Sequence, residues 1–240
     1  MTHPRPLAPD TLVIDYGGTL TGPAQVPRPH GGHLRTVLGH HGVDLPEEAR
    51  AAYDQALPLQ QALANARAIP HLIAWVLAEH HITCPVDAHA LAEDLFDHTG
   101  DVPVEPAAAA TVTQLQTEGF GVIVAANTCR PHHQRLKSLV DAGLADVTLV
   151  TSSQLGVAQP AAAFYTHILH LARTPAARVL WVGDDPITGV AGPRIHGMHA
   201  LYVHRDGPGS TAASAAERAG AHTTIAHVSH LPDLLAGPRR

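Results

Sequence analysis

An aspartate stands at the end of an apolar run near the start of the chain, where it could act as a nucleophile. The run Leu12-Val-Ile-Asp15 has the composition of a buried strand, and Gly17 and Gly18 follow it closely. Ligands of open α/β sheets bind outside the carboxyl ends of the strands. The sequence therefore predicts a reactive or ligand-binding carboxylate at Asp15. The simpler alternative is that Asp15 only caps the turn that follows.

Short apolar runs of strand length alternate with segments of helical length. The runs cover residues 11–16, 121–126, 146–151, 179–183 and 200–204, and a short edge strand is expected at 223–226. Continuous apolar strands that alternate with helices are typical of a parallel sheet covered by helices on both faces. The expected fold class is α/β, with a doubly wound, Rossmann-like parallel sheet.

A long helical stretch interrupts this alternation between the first and second strands. Amphipathic patterns at 31–41, 46–68, 70–81 and 87–97 predict helices that Gly42, Pro46, Pro70 and Pro85 separate. We expect a core from residues 1–21 and 101–240 and an inserted helical unit from residues 22–100. The insertion could lie over the site as a cap, or it could be an ordinary helical elaboration.

Four segments resemble, in order, the motifs of the haloacid dehalogenase-like (HAD) hydrolase superfamily. Residues 15–19, Asp-Tyr-Gly-Gly-Thr, resemble the first motif, Asp-x-Asp-Gly-Thr, and the strand that ends at Asn127 resembles the second, which ends in (Ser/Thr)-Asn. Residues 151–165 resemble Ser-Ser-x-x-Gly-x-x-Lys-Pro-Asp-x-x-x-Phe, and residues 183–198 resemble the Gly-Asp run of the fourth motif. The resemblance covers essentially the whole chain and implies a HAD core with a helical cap of the C1 type.

The resemblance also implies a set of site residues. Asp15 takes the place of the nucleophile that attacks phosphorus. Contacts to a phosphoryl or other anionic ligand would come from Asn127 and Gln159. Thr128 and Arg130 could approach the same anion, and the alternative for each of them is a structural role. A weakened Mg²⁺ site would use Asp15, the carbonyl of Gly17, Asp184 and Asp185, because hard cations prefer oxygen ligands. No other cofactor is expected.

Four positions lack the group that the family's chemistry uses. Gly17 replaces the general acid, Ala126 a hydroxyl, Gln159 a lysine and Gly189 an acid. Losing general acid–base help lowers a rate by about 10²- to 10⁴-fold, and losing one preorganised charge or donor by about 10²- to 10³-fold. The sequence therefore favours a non-catalytic or strongly impaired phosphatase homologue that binds a ligand or partner. The alternative is a slow Mg²⁺-dependent phosphatase, or a repurposed small-metabolite enzyme, that uses Asp15.

Two other chemistries of the superfamily fit these residues poorly. Haloacid dehalogenases tolerate the missing second acid but still rely on the lysine that Gln159 replaces. Phosphonate-cleaving members form a Schiff base with a lysine of the cap, and the single lysine of this chain, Lys137, lies outside residues 22–100. We expect neither activity.

Composition limits the partners and the location. The 240-residue chain has a formal net charge of -6 and no basic cluster, which argues against nucleic acid or an anionic membrane as the main partner. Two cysteines are too few for a disulfide framework, and no apolar run approaches the roughly 20 residues of a membrane helix. We expect a cytoplasmic protein that meets a small anionic metabolite or a protein partner. Its oligomeric state is open.

Histidine is unusually frequent in this chain. The twenty histidines are scattered, and their titration predicts a net charge that changes strongly between about pH 7 and 5.5. His30-Gly-Gly-His33 could bind a metal, although a surface loop is the simpler interpretation.

Overall fold

A six-stranded parallel sheet forms the centre of the molecule. The computed structural model describes residues 8–22 and 27–236. The strands are β1 (Thr11–Asp15), β2 (Gly121–Ala126), β3 (Thr148–Thr151), β4 (Val179–Gly183), β5 (His199–Val203) and β6 (Thr224–Ile225). Their order is β3-β2-β1-β4-β5-β6, and all neighbours pair in parallel. The predicted doubly wound α/β class is confirmed.

Helices cover both faces of the sheet because successive strand residues point to opposite faces. In β1, Leu12 and Ile14 join one buried cluster, whereas Val13 joins another with Trp181 and Phe164. The helices are α1 (Gly31–His40), α2 (Glu47–Ala62), α3 (Ala68–Glu79), α4 (Ala88–Thr99), α5 (Pro106–Thr117), α6 (His132–Asp141), α7 (Ser152–Leu155), α8 (Ala162–Ala172), α9 (Gly192–Ile195), α10 (Thr211–Arg218) and α11 (Leu231–Leu235). Within the described ranges, no helix is long and apolar enough to cross a membrane.

Helices α1 to α4 lie between β1 and β2 in the chain and share a hydrophobic core of their own. Leu34, Tyr53, Ile73 and Leu95, one from each helix, are buried in it. Cys129, from the loop after β2, is also part of this cluster and so links it to the sheet. The proposed domain limits at residues 22 and 100 stay a prediction. Below, these four helices are called the insertion.

The prediction of a helix over 46–68 is right in its start but wrong in its end, and the predicted break at Pro70 is wrong. Helix α2 ends at Ala62, and Ala64 has a φ of 46°, in the left-handed region that does not continue a helix. Helix α3 begins at Ala68 and therefore contains Pro70 in its first turn. The first amides of a helix have no intrahelical partner, so a proline there removes no hydrogen bond.

The chain enters and leaves the insertion at neighbouring points. The backbone N–H of Glu105 donates to the carbonyl of Leu20 at 2.9 Å. The hydroxyl of Tyr16 donates to the carbonyl of Val102, also at 2.9 Å. The segment before α5 is therefore held against the turn that follows Asp15.

Candidate active site

Two carboxylates meet at the centre of the sheet. Asp15 is the last residue of β1, and Asp184 comes directly after β4, the neighbouring strand. The strand order reverses between β1 and β4, since β2 and β3 lie on one side of this pair and β5 and β6 on the other. In open α/β sheets, ligands bind in the crevice at such a switch point. The structure thus brings Asp15 and Asp184 together at the expected place.

Burial and mutual repulsion disfavour the charged form of these two groups. Burial raises the pKa of Asp15 well above its usual range, and the negative charge of Asp184 raises it further. The charge of Arg135 lowers the pKa of Asp15 and so opposes both effects. Burial also raises the pKa of Asp184, and the charge of Asp185 adds to this. A proton or a cation between the two carboxylates would relieve the repulsion.

The turn after β1 requires glycine at position 18 but leaves position 17 open. Gly18 has a φ of +70°, and a Cβ there would lie 1.8 Å from Oδ2 of Asp184. At Gly17, whose φ is -73°, a Cβ would meet no atom within 4 Å. Thr19 is buried close enough to Asp184 to lower the pKa of that carboxyl, although its hydroxyl makes no hydrogen bond of normal geometry to the described residues.

A cavity of about 230 Å³ lies beside this turn, between the sheet and the insertion. Tyr16, Gly17 and the loop after β2 line one side, and Gln61 and Phe96 line the other. Drug-sized sites span about 300–1,000 Å³, so this cavity suits a smaller ligand. A larger cavity of about 380 Å³ lies at the end of α4 and along α6. Asp15 and Asp184 line neither of these two cavities, but Tyr16 and Gly17, which follow Asp15, line the smaller one and not the larger one.

Asn127 holds the loop that carries Gln159. Its Nδ2 donates to the Gln159 carbonyl, and its Oδ1 accepts from the Gln159 N–H, both at 2.9 Å. The Gln159 side chain belongs to a residue that is 7% exposed, and its Nε2 has no partner among the described residues. The amide group of Asn127 is therefore used for structure, and the loop contributes a neutral buried amide.

Thr128 and Arg130 differ in how much of their hydrogen-bonding capacity remains for a ligand. Thr128 lines the cavity, and its Oγ1 accepts from the Arg130 N–H at 3.0 Å. The Arg130 side chain is buried, and its Nη1 donates to the carbonyl of Phe96 at 2.9 Å. Its Nη2 donates to the carbonyl of Gly100. Arg130 thus ties the end of α4 to the loop after β2, and little of its donor capacity is left for a ligand.

Arg135, in the first turn of α6, is a site residue that the sequence did not indicate. It is 4% exposed and lines the cavity, and its Cζ lies 4.0 Å from the centre of the Tyr16 ring. Its Nη1 donates to both carboxylate oxygens of Asp101, at 2.8 and 2.7 Å. Position 135 belongs to none of the four motifs. The available signal was a basic residue early in the helix that follows Asn127.

The segment after β4 leaves few groups for a metal. Asp185 is exposed, and its Oδ1 accepts from the N–H groups of Ile187 and Thr188 at 2.8 and 2.7 Å, so it caps the next turn. In the part of the chain that is described, no cluster of three His, Cys, Asp or Glu side chains could hold a metal. Mg²⁺ commonly binds through one or two carboxylates and keeps several waters. Asp15 and Asp184, with the Gly17 carbonyl, fit that pattern.

Several solved structures share this fold. A 2-haloacid dehalogenase from Pseudomonas syringae pv. Tomato DC3000 is similar with a TM-score of 0.65 and 22% identity, covering 95% of this chain and 98% of that chain. A putative HAD-hydrolase from Bacillus subtilis bound to magnesium gives 0.59 and 16% identity over 95% and 99%. A HAD family hydrolase from Deinococcus radiodurans R1 with bound phosphate and sodium gives 0.55 and 20% identity over 96% of each chain.

Sequence comparison adds a more distant likeness. No protein-family model matches the chain. A phosphoserine phosphatase from Thermus thermophilus is 30% identical over 123 residues, which are 50% of this chain and 49% of that protein. The matching region thus spans about half of the curated relative.

The chain has the fold of the HAD-like hydrolases. The parallel sheet, the aspartate at the end of β1 and the helical insertion directly after it occur here together. The resemblance inferred from the four motifs is confirmed at the level of the fold.

Proposed function

We propose that this chain binds a small anionic metabolite in the cavity beside Asp15 and that its hydrolytic activity is absent or strongly impaired. One observation carries the proposal, namely which groups surround Asp15. Gly17 has no side chain, and the buried amide of Gln159 stands where the family pattern has a lysine. The polar lining of the cavity remains, so a ligand can be held without the groups that complete a hydrolysis.

An oxyanion is the ligand class that the charges favour. Arg135 and Thr128 line the cavity, and an arginine binds carboxylate or phosphate oxygens through strong charge-assisted hydrogen bonds. The bound phosphate of the Deinococcus radiodurans protein is consistent with the same class of ligand here. A protein partner and a cytoplasmic location stay expectations from composition.

Two physical effects weaken nucleophilic attack by Asp15. Burial and the charge of Asp184 raise its pKa, which shifts Asp15 towards the protonated form, a poorer nucleophile than the carboxylate. The missing acid and lysine each remove transition-state stabilisation, although such losses do not add. Phosphate monoesters hydrolyse very slowly without a catalyst, so a weakened site has no fast background reaction to assist.

A slow Mg²⁺-dependent phosphatase, or a repurposed small-metabolite enzyme, is the second candidate. The proximity of Asp15 and Asp184 favours it, because two repelling carboxylates are a good environment for a divalent cation. Asp15, the Gly17 carbonyl and Asp184 would hold Mg²⁺, which would neutralise charge on the ligand when bound. In that case Asp15 would attack phosphorus as the ester P–O bond breaks, and the leaving alcohol would take its proton from water because Gly17 has no acid to give.

The test combines turnover with binding. Hydrolysis of a panel of phosphate esters is measured with and without Mg²⁺ for the wild type, Asp15→Asn and the control Asp10→Asn. Asp10 precedes the same strand and pairs with Arg178 at its opposite end. Binding of inorganic phosphate is measured by titration calorimetry on the same proteins.

The outcomes separate the two candidates. Phosphate binding without turnover supports the proposal. Turnover that requires Mg²⁺ and is lost in Asp15→Asn, but not in Asp10→Asn, would overturn it and establish the second candidate. A wild type that neither binds phosphate nor turns over an ester would contradict the anion-binding proposal.

A further inference from the structure

We propose that Arg135 supplies the anion-binding charge of this site and that Asp101 fixes its guanidinium for that role. The inference deepens the proposed function and rests on it. It assigns the positive charge of the site to a helix, α6, that carries none of the four motifs. Arg135 would act as a binding residue, and Asp101 as a positioning residue.

Arg135 has the position that such a cation needs. Its side chain is buried at the wall of the cavity, and its guanidinium carbon lies over the ring of Tyr16, the residue next to Asp15. A guanidinium on an aromatic face is held in orientation while its edge stays available for hydrogen bonds. Lys137 cannot serve instead, because its side chain is 72% exposed and pairs with Asp141.

Asp101 holds one end of the guanidinium and leaves the other end free. It binds Nη1 through both of its oxygens, and Ser138 donates to its Oδ2 at 2.7 Å. The Nε of Arg135 is buried with no hydrogen-bond partner of normal geometry among the described residues, and Nη2 makes a long hydrogen bond, 3.4 Å, to Thr128 Oγ1. A buried N–H without a partner is unfavourable. Two donors of Arg135 are therefore left for the oxygens of an anion.

Arg130 lines the same cavity but is used differently. Its terminal nitrogens donate to the main-chain carbonyls of Phe96 and Gly100, which are neutral and part of the fold. Binding an anion there would break contacts that hold the end of α4. Within residues 8–22 and 27–236, Arg135 donates to no main-chain carbonyl, so the geometry selects Arg135 over Arg130.

The experiment compares phosphate binding by five full-length proteins. Titration calorimetry with inorganic phosphate at low ionic strength is done on the wild type, Arg135→Gln, Arg135→Lys, Arg130→Lys and Arg178→Gln. Arg178→Gln removes the same charge at the amino end of β4, where Arg178 pairs with Asp10, far along the strand from the site. Circular dichroism and thermal melts establish that each variant is folded.

We expect Arg135→Gln to weaken phosphate binding by about 10- to 100-fold, the effect of losing a hydrogen bond to a charged group. Arg135→Lys should recover part of the loss, since it keeps the charge but not the fork of donors. Arg178→Gln should bind like the wild type. The affinity of the wild type should also fall more steeply with added salt than that of Arg135→Gln.

Each other outcome contradicts the inference. Unchanged affinity in a folded Arg135→Gln would overturn it and leave the proposed function intact. If Arg135→Gln does not fold, Arg135→Lys decides. If Arg135→Lys binds phosphate with the affinity of the wild type, and that affinity does not fall with added salt, the inference is overturned. Loss of binding in Arg130→Lys together with normal binding in Arg135→Lys would assign the charge to Arg130. A wild type that binds no phosphate would contradict both proposals.

Discussion

At the scale of single residues, local packing distinguishes the glycines that replace acids of the family pattern. A side chain at Gly17 would enter open space, so the acid could be restored there without a clash. At Gly189 a Cβ would lie 3.2 Å from the Cα of Gly183 and 3.3 Å from its carbonyl carbon. The backbone after β4 has therefore closed against β4 in the space that an acid at 189 would need. The loss at 189 is built into the packing, and the loss at 17 is not.

This difference predicts unequal effects of the same small substitution. We expect Gly189→Ala to lower the free energy of unfolding by about 1–3 kcal/mol, because the methyl group is forced against the backbone of Gly183. Gly17→Ala should change it by less than about 0.5 kcal/mol, since its φ and its surroundings allow a side chain. Urea denaturation of both variants measures this. Equal losses would contradict the packing argument.

Asp185 offers a second residue-scale test, because capping and metal binding predict different results. We expect Asp185→Ala to destabilise the protein by about 0.5–2 kcal/mol, since Oδ1 caps the turn Pro186–Ala191. Asp185→Asn keeps an acceptor oxygen and should leave stability nearly unchanged. Urea denaturation and Mg²⁺ titration of both variants measure the two effects. Weaker Mg²⁺ binding in Asp185→Asn would show that Asp185 is a metal ligand after all.

At the scale of elements, the start of α6 and the loop before it attach the sheet to the insertion. Arg130 reaches the carbonyls at the end of α4, and Gln134 donates to Asp97 at 2.8 Å. Arg135 pairs with Asp101, which follows α4. These contacts join residues at least 30 positions apart in the chain. The exit from the insertion is therefore fixed by polar side chains rather than by a tight turn.

Removing this attachment should weaken the fold locally. We expect Arg130→Met to lower the free energy of unfolding by about 1–3 kcal/mol, because the carbonyls of Phe96 and Gly100 lose their partner. Limited proteolysis should cleave near residues 96–101 faster in this variant. Arg50→Met is the control, since Arg50 pairs with Glu47 and Asp54 on the surface of α2. Equal cleavage of both variants would argue against the attachment.

The same elements show how far a sequence can be read. The strands were predictable because each is a short apolar run in a buried parallel sheet. Asp15 was found because it ends one such run, and Asp184 because the residues around it resemble the fourth motif of the family. The end of α2 was missed because the break comes from the backbone conformation of Ala64, which its residue type does not signal. Arg135 was missed because its role depends on Tyr16 and Asp101, which only the tertiary fold brings to α6.

At the scale of the whole molecule, histidines link stability to pH. The pKa values of His33, His132 and His199 are lowered, first by burial in each case. His33 stacks on His30 with ring centres 3.8 Å apart and lies 5.5 Å from His98, and both neighbours lower its pKa further. His30 also caps α1 by accepting from the Gly32 N–H at 3.1 Å. The expected surface loop is in fact the start of a helix.

These shifts predict a loss of stability in mild acid. A histidine with a lowered pKa in the folded state binds its proton first in the unfolded state. Its stabilising contribution is complete above the unfolded pKa near 6.5 and falls as the pH drops through that value to the lower folded pKa. The raised pKa values of Asp15 and Asp184 act in the opposite direction, since protonation of these carboxyls favours the folded state.

The histidine contribution can be isolated by one substitution. We expect the urea midpoint of the wild type to fall between about pH 7.5 and 5.5, and His33→Asn to reduce that fall. The exposed His230, in the turn before α11, provides the control variant His230→Asn. An unchanged pH dependence in His33→Asn would show that the cluster of His30, His33 and His98 does not carry the effect.

The hydrogen bond between Glu105 and Leu20 makes the insertion resemble a cassette. Chain ends that already touch can be rejoined by a few residues with little loss of closure entropy. We expect that replacing residues 23–101 with a short Gly-Ser linker preserves the circular dichroism of the sheet. It would also open the cavity to water, since Gln61 and Phe96 leave with the cassette. Helices of different sequence spliced at the same two points would give the site a new ligand preference while Asp15 keeps its place.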